Sequence, residues 1–270
     1  MGGARPRPLL PHDVRDVGPQ SASVADVIAR MEAILEPLPR TDGVACFTRL
    51  YLAVTKAVEA ELETATFADP SFLRELDVVF ADLFFGALET YEGGPGDVSS
   101  AWAPLFEARS NRGVAPLQFA LAGMNAHINR DLPVALVTTW TNARVGPSIG
   151  SRQHADFERV NDVLARVEQR VKREYLTGWL NALDSLLHRF HRLDSILAMW
   201  NVRSARAAAW VNGEALWGLR GDAKLSGEYL RNLDRMVGLS GRGLLIPADT
   251  SLRKADRRIR RLRRDPLWWV

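Results

Sequence analysis

Apolar side chains along this chain recur every three to four residues, and proline or glycine interrupts each run. From Ser23, a candidate cap, the pattern predicts a helix to Glu36, stopped by Pro37 and Pro39. Thr41, Asp42 and Gly43 open a second helix over about 44–64. Asp69 before Pro70 pairs an N-cap side chain with proline at the first helical position, predicting a helix to about Tyr91. A shorter helix follows over about 99–109. Pro116 begins a long one whose core stripe is Leu117, Leu121, Met124, Ile128 and Leu132. Pro133 clashes with the carbonyl of Asn129, which predicts a kink or an end beside Asp131.

After a loop at 146–150, Phe157, Val160, Leu164, Val167 and Val171 keep an apolar seam. Further helical patterns occupy about 174–192, 193–219 and 223–237. No stretch alternates apolar and polar over five residues between turn signals, so no strand is predicted. The expectation is an all-α protein: one multi-helix bundle domain over 21–240. A loose arm at 1–20, rich in Pro, Gly and Arg, precedes it, and a basic tail at 241–270 follows.

Composition narrows the classes. At 270 residues and 47% hydrophobic, the chain can bury a sizeable core. Its one cysteine, Cys46, excludes an internal disulfide framework and a thiolate zinc cluster, and its apolar neighbours make it a core residue. No signal-peptide run and no membrane-length apolar segment is visible, so a cytoplasmic location is expected. Of the net charge of +3, residues 253–264 contribute +7 and the remainder about −4, so the basic character belongs to the tail. Only four lysines occur among the 35 basic residues, an arginine bias that suggests a GC-rich, actinobacterial coding sequence.

Two stretches place a histidine and a carboxylate one helical turn apart: His127 with Asp131, and His154 with Glu158. Such pairs lie on one helix face and can grip a divalent ion, zinc or another, if the two helices are neighbours. Gly123, one turn before His127, leaves room for a close approach to the backbone. Ala120, Ala122 and Ala126 make that helix small and apolar almost all round, hence central. The plainer alternative is a buried His127–Asp131 hydrogen bond inside the bundle. His154 and Glu158 likewise suit an exposed pair near a helix start.

Other clusters compete. Asp184, His188, His191 and Asp194 have ligand-like spacing, but Arg189 and Arg192 between them repel a cation. Asp77 and Asp82 lie on an otherwise apolar helix, where either can supply an inward carboxylate. Trp200, Arg206, Trp210 and Trp217 share a late helix, where arginine over indole serves packing or an anionic substrate in an apolar pocket.

The run from Phe119 through Gly123 and His127 to Asp131 resembles the central metal helix of zinc-dependent phospholipases C and S1/P1 nucleases. His154 to Asp162 is similar to their second ligand helix. The resemblance implies an all-helical fold of that type, with His127, Asp131, His154 and Glu158 as metal ligands. Those enzymes carry a further histidine soon after the aspartate, and none occurs here between Leu132 and Thr139. The stretch from Gly123 to Pro133, with the pattern from Ala205 and Arg206 to Trp217, also resembles an uncharacterised family of actinobacterial helical proteins.

Three functions follow as expectations. The first is a metal-dependent hydrolase of phosphoester or related bonds in a small or lipid-like substrate. In it Glu158 is a ligand or general base, and Arg206, Asp77 and Trp210 contact substrate. The second drops the metal: Asn125, His127, Asp131 and Arg206 line a cavity for cyclisation or isomerisation of an apolar metabolite. The third is a binding module that contacts an anionic surface through residues 253–264.

Overall fold

Polar caps set where the helices begin. In the computed structural model, which describes residues 21–63, 67–94, 98–180 and 201–247 (side chains 168–180 excepted), Ser23 accepts from Asp26 N–H to open α1, Val24–Leu35. Asp42 accepts from Val44 and Ala45 N–H at the head of α2, Gly43–Leu62. Asp69 accepts from Phe72 N–H, with Pro70 as the first residue of α3, Pro70–Glu92. The short α4 is Ala103–Ala108, and α5 is Pro116–Ala126, where the Gln118 side chain accepts from Ala115 N–H. Then come α6 (Leu132–Ala143), α7 (Arg152–Leu180), α8 (Val202–Leu219) and α9 (Ala223–Leu244).

The all-α expectation holds among the described residues. Several boundaries differ, among them the start of the late helix, which is Val202 behind the extended Asn201 cap rather than about 193. The patterns read separately before and after 174 form one helix, α7, because nothing in Val171 to Glu174 breaks it. The last described helix continues past 237 to Leu244. Pro133 neither ends nor breaks the long helix. Between α5 and α6 the backbone forms a π turn, His127–Asp131, in which Leu132 N–H donates to His127 O, five residues back. The wider turn absorbs the proline that an α-helical register would reject.

The α5–π–α6 rod is the axis of the bundle. Helices α2 and α9 pack on α5, and α3 and α8 pack on α6. Its residues are buried from Gln118 to Ile128 and from Asp131 to Val137, as a helix apolar on all sides requires. Buried and half-buried carboxylates pin the chain around it. Asp156 accepts from Ala68 and Asp69 N–H, and Asp234 from Ser100 and Ala101 N–H. Asp82, one of the two acidic positions on α3, accepts from the Ser21 hydroxyl and N–H. No helix among the described residues is long and apolar enough to cross a membrane.

Candidate functional site

The π turn presents His127 and Asp131 at the centre of the bundle, 1% and 0% exposed. Asp131 Oδ2 accepts from Trp102 Nε1–H at 2.9 Å and lies 3.2 Å from His127 Nδ1. Its Oδ1 accepts from the Arg130 guanidinium at 2.9 Å. Trp102 and Arg130 can only donate, so the Asp131 carboxyl is an acceptor and His127 carries its proton on Nδ1. Nε2 is then a bare lone pair. It is buried and meets no donor among the described residues.

Aromatic rings enclose the imidazole. Phe80 stacks on it with centroids 3.5 Å apart and planes 6° apart, and Phe47 and Tyr51 meet it edge-on at 5.6 and 4.5 Å. This burial pushes the imidazole below its ordinary 6.5, against the smaller opposing pull of Asp131. His127 is therefore neutral at physiological pH.

A cleft of about 70 Å³ has His127, Tyr51, Asp77 and Arg206 in its walls, with aliphatic side chains such as Val58, Leu76, Ile128 and Val160 between them. That volume exceeds several-fold the roughly 10–15 Å³ that one water requires. Since Nδ1 faces Asp131, Nε2 is the ring nitrogen left for the cleft. Two more buried atoms among its lining side chains lack partners, Tyr51 Oη and Asp77 Oδ2. Burial, then the nearby Glu59, pushes the Asp77 carboxyl up to about 7. Burial also holds the Tyr51 phenol well above 10, so it keeps its proton; the Thr55 hydroxyl is its polar neighbour, without an aligned hydrogen bond.

Asp77 therefore opposes folding as it ionises. The folded state keeps this proton up to about pH 7, whereas an unfolded carboxyl loses it near 3.8. The stability lost grows across that window and levels off above it. Asp77→Asn is expected to raise the melting temperature progressively between pH 4 and 7, with a constant gain at pH 8. Melting curves at four pH values check this.

Arg206 is 7% exposed. Its Nε donates to Asn161 Oδ1 at 2.8 Å and one terminal nitrogen to Phe157 O at 2.7 Å, with the Phe157 ring 4.0 Å beneath the guanidinium. Burial lowers its pKa to about 10, partly offset by the charge of Glu158, so the group stays cationic at neutral pH.

The predicted site residues separate. His127 and Asp131 pair, and His127, Asp77 and Arg206 share the cleft. The ligand set His127, Asp131, His154 and Glu158 is not brought together: no group of three His, Cys, Asp or Glu among the described residues could hold a metal ion. The reason is local. Asp131 already serves three donors, His154 packs edge-on against Trp210 at 4.7 Å, and Glu158 accepts from Asn161. Asn125 is a brace rather than a cleft residue, donating to Val237 O and accepting from Asn129. Trp210 does not line the cleft; it packs on Trp140 and Phe157 and donates to Glu214. Cys46 is core, its thiol pushed up to about 11 by burial.

The cluster at 184–194, the arm at 1–20 and the basic segment 253–264 lie outside the described residues. A larger groove of about 690 Å³ between α1 and α3 is answered by the protein itself: Arg74 pairs with Glu59 and Glu63, and Asp82 with Ser21 and Arg30.

Sequence reasoning missed Tyr51, Phe80, Trp102 and Arg130. Tyr51 had a signal, as the one polar-tipped ring in the apolar stripe of α2 formed by Phe47, Tyr51, Val58 and Leu62. Trp102, 29 residues from Asp131 along the chain, had none.

Fold and site together define an all-helical protein with a buried histidine–aspartate pair behind a small, mostly apolar cleft. The model of DUF5995, a family of unknown function, matches residues 24–247, and the chain belongs to that family. No curated protein and no solved structure matches it.

Proposed function

We propose that the cleft carries out metal-independent acid–base chemistry on a small, largely apolar molecule, the proton transfer that isomerisations and cyclisations need. One observation carries this reading: the unpartnered, buried Nε2 of a neutral histidine whose other nitrogen is held by a carboxylate. Asp131 fixes the tautomer and ring, and Trp102 and Arg130 fix Asp131. His127 Nε2 accepts the proton. Asp77, still protonated near neutrality, is the acid, and the Tyr51 hydroxyl donates to charge developing on the substrate. A base and an acid whose surroundings push their pKa values in opposite directions form a working pair.

The metal-dependent hydrolase requires four side chains that the described residues do not assemble. A phospholipase C or S1/P1 nuclease ancestry remains a proposal resting on the resemblance from Phe119 to Asp131.

With EDTA present, the protein is expected to exchange the α-hydrogens of cyclopentanone and cyclohexanone for solvent deuterium. The rate should exceed that of the His127→Gln variant by about 100-fold, the lower end for a positioned base. Activity should rise with pH as His127 loses its proton below 6.5, then fall as Asp77 ionises through about 7. Equal exchange by both proteins would refute the reading.

A further inference from the structure

A buried cation normally has an anion beside it, because removing charge from water costs several kcal/mol unless it is paired. Arg206 breaks that rule. No carboxylate lies within 4 Å of its guanidinium among the described residues; Glu158 acts on it only at longer range. Both its hydrogen bonds go to neutral acceptors, the Asn161 amide oxygen and the Phe157 carbonyl. Only Nε and one terminal nitrogen make these bonds among the described residues, and the side chain lines the same cleft as His127.

We infer that the ligand of this cleft is a small monocarboxylate, its carboxylate met by Arg206 and its apolar body reaching toward His127 and Tyr51. The inference rests on the site reading above and specifies the substrate class. A guanidinium presents its N–H groups in a planar fork that suits a carboxylate, and the Phe157 ring beneath holds the plane of the fork. A single anionic charge fits because Arg206 is the lone cationic group among the described lining residues, which also include the acid Asp77. The aliphatic remainder of the wall favours a short hydrocarbon body over a polar one.

Titration of the full chain at pH 6 with isobutyrate and with its neutral isostere isobutyramide tests this. The wild type is expected to bind the carboxylate at least tenfold tighter. Arg206→Met should lose that preference, to under twofold, and Arg206→Lys should keep part of it. If Arg206→Met fails to fold, the wild-type ratio and Arg206→Lys decide. Equal affinity for the two compounds, no binding of either, or a preference that survives in Arg206→Met would overturn the assignment. His127-dependent ketone exchange without a carboxylate preference sinks this inference and leaves the acid–base reading standing. A carboxylate preference without that exchange does the reverse.

Discussion

Replacing Asp131 with alanine is expected to cost about 3–5 kcal/mol, the range for breaking a buried charge pair. The carboxylate is wholly inaccessible and is the acceptor for the Trp102 indole, the Arg130 guanidinium and His127 Nδ1. Alanine strands all three donors at once, and each buried donor left unmade costs about 1–3 kcal/mol. Arg130 softens part of the loss, since Asp234 lies 3.7 Å from its Nε. For a chain of this size the melting temperature should fall by roughly 10 °C. Asp131→Asn keeps one acceptor oxygen and should lose less, yet it offers an amide that can reverse the histidine tautomer. Ketone exchange should then collapse while most stability remains. Denaturant midpoints and exchange rates on both variants separate the two effects, and a loss under about 1 kcal/mol in Asp131→Ala would show that the network is not a support.

Adding one methyl at Gly123 is the second large effect. A Cβ there would clash with Phe47 Cγ and Cδ2 and lie 2.7 Å from Phe47 Cβ, with Phe47 itself fully buried. The ring cannot retreat freely, because Phe84 and Trp102 meet it edge-on at 5.0 and 5.2 Å. Gly123→Ala should therefore reach the upper end of overpacking costs, about 3 kcal/mol, despite the better helix propensity of alanine. Phe47 also abuts His127, so the variant should shift the imidazole NMR signals even where it remains folded. A melting temperature within 2 °C of wild type, the scale of ~1 kcal/mol here, would mean the helices separate easily at this crossing.

The close approach at Gly123 was legible because glycine one turn before a buried histidine, amid alanines, has few other uses. The pairing of His127 with Asp131 was legible too, since side chains four apart meet on any helix. The second pair misled: His154 and Glu158 obey the same spacing, but spacing says nothing about the direction a helix faces. In the bundle His154 meets Trp210, and Glu158 is taken up by Asn161 one turn along the same helix. The effect of Pro133 was half legible. A proline four residues after Asn129 had to disturb the α register, and whether the chain bends or widens into a π turn depends on what surrounds it.

Local chemistry by itself determined the helices, most of their starting caps, the central place of the segment from Phe119 to Leu132, and the contact between His127 and Asp131. These rest on backbone geometry and on neighbours a few residues away. The tertiary structure alone decided that Tyr51, Asp77 and Arg206, from three helices, join His127 around one cleft, and that Trp102 closes the network behind it. Such meetings depend on how whole helices rotate and cross to bury their apolar faces, and no spacing within one helix encodes that.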